Sequence, residues 1–132
     1  MVNRDLVSNI LAALSIAPAA NRTATTEGTG VDLRGFDSAA VIFNFGVVTD
    51  GGWTIGIEES DDDSTYTAVA ADDIIGTPVE VVDSTDVRTY QLGYRGSARY
   101  IRAVVTESTA STTGALFSAT VVRGDPLQAP AA

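Results

Sequence analysis

Ala39-Ala-Val-Ile-Phe-Asn-Phe-Gly46, then Asp50-Gly-Gly52, then Trp53-Thr-Ile-Gly-Ile-Glu-Glu-Ser60: the fold is decided by this stretch. The first run is apolar and of strand length. The last alternates, placing Trp53, Ile55 and Ile57 on one face and Thr54, Gly56 and Glu58 on the other, the period-2 pattern of a half-buried strand. Asp50-Gly51-Gly52 supplies the positive φ that tight hairpin turns need, so the two runs are expected to form a hairpin. Trp53 is expected in the core.

Working outward, the same grammar repeats. Asp61-Asp-Asp-Ser64 reads as a turn and Thr65–Val69 as a short strand. Asp72–Gly76 reads as one helical turn closed by Gly76. Val79–Asp83, Val87–Gly93, Arg99–Thr106 and Ala115–Val122 read as strands, separated by Ser/Thr/Gly loops and closed by Gly124-Asp-Pro126. Before Val31 the style differs. Leu6, Val7, Ile10, Leu11 and Leu14 fall at helical spacing, with Asn3 as a candidate cap. The expectation is an all-β chain: a single antiparallel β-sandwich or jelly-roll-like barrel of about seven to eight strands, with an N-terminal arm or short helix. Residues 1–30 form the arm or helix, 31–126 the sandwich and 127–132 a C-terminal tail.

Composition removes much chemistry. The 132 residues include no Cys and no His, and all eight basic residues are Arg. Disulfides, thiolate nucleophiles, Cys/His zinc sites, Ser-His-Asp triads and Schiff-base lysines are therefore absent. A net charge of −9 opposes binding to nucleic acid through phosphates. No run of about 20 apolar residues exists to span a membrane as a helix. Arg4 and the apolar run Ile10–Ala20 faintly suggest a leader peptide, but Asp5 cancels the positive start and Pro18 interrupts the run. The expectation is a non-enzyme that needs no cofactor.

Three motifs stand out. Glu58-Glu-Ser-Asp-Asp-Asp63 gathers hard oxygen ligands, with Asp61 and Asp63 as candidate Ca²⁺ ligands. The EF-hand pattern fails, because Tyr66 and Asp72 stand where Gly and Glu are required; a solvated hairpin tip is the simpler reading. Arg123-Gly124-Asp125 spells an adhesion tripeptide that Gly-Asp-Pro turn chemistry accounts for locally. Tyr94–Arg102 packs Arg95, Arg99 and Arg102 among Tyr94 and Tyr100. In so acidic a chain these arginines are expected to form bidentate pairs with carboxylates, within the fold or across an interface.

Taken in order, Val31-Asp-Leu-Arg-Gly-Phe36, Gly52–Asp61, Tyr66-Thr-Ala-Val69, Gly93–Arg102 and Gly124-Asp-Pro126 with Pro130 resemble the small head decoration, or cement, proteins of tailed bacteriophages. The resemblance runs over about residues 31–130. It implies a sandwich-like β domain on the outside of a capsid, made in the host cytoplasm and localised to the virion. It implies as partners the major capsid protein and neighbouring copies of itself, a trimer being favoured, with no nucleic acid or membrane. On this reading the shell or subunit contacts fall on Leu6, Ile10, Leu14, Arg95, Arg99 and Arg102, with residues 1–30 and the tail bridging to adjacent subunits. Competing readings are another virion component (tail tube, head–tail joining or baseplate) and a carbohydrate-binding sandwich module with exposed aromatics.

Overall fold

The computed structural model describes residues 5–84 and 88–128. Asn3, Arg4, Val87, Pro130 and the end of the expected tail lie outside them. The strands are β1 (Ile10–Ile16), β2 (Thr26–Glu27), β3 (Val31–Asp32), β4 (Phe36–Ser60), β5 (Thr67–Ala68), β6 (Ile74–Ile75), β7 (Glu80–Ser84), β8 (Arg88–Tyr94), β9 (Tyr100–Thr109) and β10 (Ala115–Pro126). All described pairings are antiparallel. The expected all-β sandwich is present.

β4 organises it. Its first half, Phe36–Val48, pairs with β10 on one side and β8 on the other, in a layer ordered β1-β10-β4-β8-β6. Its second half, from Gly52 to Ser60, pairs with β9 and with β5 and β7, while β2 and β3 add to β9. The expected hairpin at Asp50-Gly51-Gly52 therefore does not form. Its two arms never pair with each other; they run on as one strand that passes from one layer to the other. The positive φ is still needed, at Gly51 (+85°), but it serves a corner and not a reversal. Pairing registers shift there against both β7 and β9.

Asp50 fastens this corner. Its carboxylate accepts N–H bonds from Gly114 (2.6 Å), Thr112 (2.9 Å) and Thr113 (3.1 Å), tying the β9–β10 loop to the bend. Those bonds hold its pKa below the usual carboxylate value. Gly114 has φ +86°, and a Cβ there would collide with the carbonyl oxygen of Arg22, so the loop needs glycine.

The core lies between the layers. Val41, Phe43 and Phe45 point inward from the first half of β4, and Trp53, Ile55 and Ile57 from the second. Ile101, Ala103 and Val105 of β9 and Phe117, Ala119 and Val121 of β10 complete it. Phe117 lies 5.5 Å from Trp53 and 5.3 Å from Phe45, ring centre to ring centre, linking the layers.

Residues 10–16 are neither helix nor free arm. Helical geometry survives only as a 3₁₀ turn at Val7–Asn9, anchored by Asp5, whose carboxylate accepts the Ser8 N–H. From Ile10 the chain pairs with β10. Local spacing is overridden by the ladder that β10 offers, and by burial of Ser15 and Ile16. Ser15 explains its own burial: its hydroxyl donates to Thr29 O and accepts from Ala103 N–H, joining the edge of one layer to β9 of the other. Two smaller expectations also shift. The helical turn at Asp72–Gly76 shortens to a 3₁₀ turn at Ala71–Asp73 followed by β6. β10 continues past Val122 to Pro126, which pairs with Phe36.

Candidate functional site: two unlike sheet faces

The outward positions of the first layer follow from the register. Leu14, Thr120, Ile42 and Gln91 lie in one cross-strand row. Ala12, Val122, Ala40, Gly93 and Ile75 form the next. Ile10, Gly124 and Ser38 continue it at one end; Ser118, Asn44 and Thr89 continue it at the other. None of these residues is charged. At one end, Pro18, Ala19, Gly46 and Leu116 line an apolar hollow of about 290 Å³ floored by Phe45 and Phe117.

The second layer is the reverse. Arg102 on β9 sits opposite Glu58 on β4. Its Nε and Nη2 both donate to Glu58 Oε1, at 2.8 and 2.6 Å, and Nη2 lies 3.2 Å from Glu27 Oε2. The guanidinium stacks 4.0 Å from the Tyr66 ring centre. Arg99 forms a two-point pair with Asp32 (Nε–Oδ1 3.1 Å, Nη2–Oδ2 2.9 Å), which depresses the Asp32 pKa. The expected carboxylate pairing of Arg99 and Arg102 is thus present within the fold. The clustering of arginines in an acidic chain pointed to it; which carboxylates would be opposite did not show in the sequence.

The six residues expected to contact a shell do not converge. Ile10 and Leu14 lie on β1 at the rim of the uncharged face, with exposed Leu6 just before it. Arg99 and Arg102 belong to the charged layer. Arg95 stands exposed in the β8–β9 loop, its N–H bonded to Asp73 O. Arg123 of the adhesion-like tripeptide is also built in: Nη1 donates to Asp32 O at 3.1 Å, and the guanidinium lies over Phe36.

The acidic loop is organised around Asp62, not Asp61 and Asp63. Asp62 Oδ1 accepts from the Ser64 and Thr65 N–H groups and the Ser60 hydroxyl, each at 2.9 Å, and its pKa is lowered chiefly by the Thr65 and Ser64 bonds. Asp63, at φ +59°, accepts the Tyr66 hydroxyl. Among the described residues no three acidic side chains converge as a Ca²⁺ site requires. Asp62 carries the loop as an Asx turn, which the run of three identical residues concealed.

Beside it, a polar cleft of about 360 Å³ is lined by Glu59, Asp61, Asp62, Thr65, Thr67, Asp73 and Ser97. The hydroxyl of the buried Tyr94 donates to one lining residue, Glu59 Oε1 (2.7 Å), and accepts the N–H of another, Ala98 (3.0 Å). Burial first, and this bond to Glu59 second, push the phenol pKa well above its ordinary value of 10. A raised pKa favours the neutral, folded form. That contribution is complete below pH 10 and fades as pH climbs toward the folded-state value. Melting temperature is therefore expected to fall above pH 10, and Tyr94→Phe is expected to shrink the fall between pH 9 and 11, as differential scanning calorimetry would register. The variant also leaves Ala98 N–H unsatisfied, at a cost of about 1–3 kcal/mol at neutral pH.

No family model matches the chain, and no curated protein matches it. Among solved structures, one described as "CBM4 structure and function" superposes with a TM-score of 0.40 and 15% identity, over 91% of this chain and 71% of that one. A likeness this loose assigns nothing to the site.

Proposed function

We propose that this chain is a structural virion protein that decorates the exterior of a tailed-phage head and stabilises it, docking at capsomer junctions through the uncharged face of the β1-β10-β4-β8-β6 layer. One observation carries the reading: a chain of net charge −9 keeps one complete sheet face free of Asp, Glu and Arg. Desolvating a charge on docking costs several kcal/mol unless a partner meets it, so a neutral face is the part of such a chain that can be buried cheaply on another protein. The ion-paired layer then faces solvent, and its acidity repels nucleic acid. No chemistry is asked of it. Many copies bind repeated sites that only the assembled shell presents, and each bound copy adds stability by mass action.

Heads purified without the protein are the test. Added chain is expected to bind saturably, with copies spread over the head, and to raise the temperature at which heads release DNA. Binding confined to one vertex or to tails would favour a joining or tail role, and no binding at all would end the proposal.

The cleft at Glu59, Asp61, Asp62 and Asp73 keeps a carbohydrate-binding reading in view, since carboxylates and hydroxyls suit sugar hydroxyls. Against it, Trp53 and Tyr94 are buried and offer no stacking platform. A glycan array with a specific hit abolished by Glu59→Gln would favour this second reading.

A further inference from the structure

We infer that β1 is a self-pairing edge: two copies of this chain join by antiparallel addition of β1 to β1 about a two-fold axis at Ala12, extending the first layer into one continuous sheet. The inference rests on the uncharged face described above but not on what that face docks against.

β1 is the terminal strand of its layer. Edge strands are normally guarded by charge, proline or strong bulging, because they present unpaired backbone groups to any extended chain. Ile10-Leu-Ala-Ala-Leu14 has no charged residue and no proline. Its one irregularity lies beyond Leu14, where Ser15 O takes the Thr29 N–H and Ile16 is buried. The accessible edge is thus Ile10–Leu14, and its midpoint is Ala12.

The occupant follows from the sequence of the edge. Pairing centred on Ala12 sets Ile10 against the partner's Leu14, and Leu11 against the partner's Ala13, so apolar side chains meet on both faces. Leu14, half exposed at 52%, is the side chain with most to gain from such cover. Charge selects the same place. Two chains of −9 repel wherever their acidic surfaces approach, and the side chains of Ile10–Leu14 add no acidic group to this seam. Arg123, opposite Leu11, reaches across to Asp32 O, and its bond to Leu11 O is long at 3.4 Å and can share that oxygen with a backbone donor. Closure needs two copies, so the unit is a dimer and not the trimer that capsomer junctions suggest.

The full chain can be tested without any capsid, so failure here and failure of the decoration reading are separable. Sedimentation from about 1 to 100 µM, the range in which modest interfaces assemble, is expected to show a monomer–dimer equilibrium. Ala12→Glu places like charges opposite each other at an exposed position; it should weaken the dimer at least about tenfold without changing the far-ultraviolet dichroism. The chain lacks cysteine, which permits a second readout. Facing residues at such a two-fold lie about 4.5 Å apart at Cα, within disulfide reach. Ala12→Cys should therefore oxidise rapidly to a covalent dimer, and Ser118→Cys, on the open face, should not. A monomer at every concentration overturns the inference. So does faster linking of the Ser118→Cys variant, which would mean face-to-face pairing, or a dimer that Ala12→Glu leaves intact.

Discussion

Trp53→Ala is expected to lower the free energy of unfolding by about 3–5 kcal/mol, the range for deleting a large aromatic from a packed core. Trp53 is fully buried, its ring lies against Phe117 of the opposite layer, and its Nε1–H donates to Asp50 O at 3.1 Å. It therefore fills the angle where β4 changes layers and holds the backbone of the corner as well. No disulfide is present, and domains of this size carry only about 5–15 kcal/mol in total, so the variant should sit near the edge of folding. Urea titration followed by circular dichroism should show the midpoint falling with an unchanged slope. Trp53→Phe, which keeps an aromatic against Phe117, should lose less. A cost for Trp53→Ala below about 1 kcal/mol would mean that the corner does not depend on packing there.

Asn44→Asp together with Gln91→Glu is expected to abolish saturable binding to heads while leaving stability nearly unchanged. Both residues are exposed on outward positions of the uncharged face, and both changes preserve shape. Each introduces a carboxylate that docking would strip of water, at a cost of about 2–5 kcal/mol when no partner is supplied. Affinity should fall by a factor of at least about a thousand for the pair, since each 1.4 kcal/mol is tenfold. Thr106→Glu adds one carboxylate, half the charge of the double variant, to the opposite layer and should bind as the unaltered chain does. Equal loss from Thr106→Glu would point to long-range charge; no loss from Asn44→Asp with Gln91→Glu would show that this face is not the seat.

The alternation of Trp53, Ile55 and Ile57 was legible because side chains on a strand alternate whatever the strand pairs with. The Arg pairs were half legible. Three arginines in an acidic chain need carboxylates, yet Asp32 and Glu58 come from distant segments that only the register brings opposite Arg99 and Arg102. Two local signals pointed the wrong way. Asp-Gly-Gly fits a hairpin and a corner equally, since both need positive φ at Gly51. Leu6 to Leu14 has helical spacing, but seven residues gain more from a ladder with β10 and from burying Ser15 and Ile16 than from a short isolated helix.

The uncharged face shows the same division. Its residues are scattered through five strands between positions 10 and 124, and no window of sequence displays them together. By itself the sequence determined that this is an acidic, cysteine-free, histidine-free β chain with Trp53 inside, because composition and period-2 alternation are local quantities. Tertiary structure alone decided that β4 serves both layers, that β1 is an open edge, and that one sheet face is free of charge, because those depend on which strands become neighbours, and pairing partners are chosen by long-range burial.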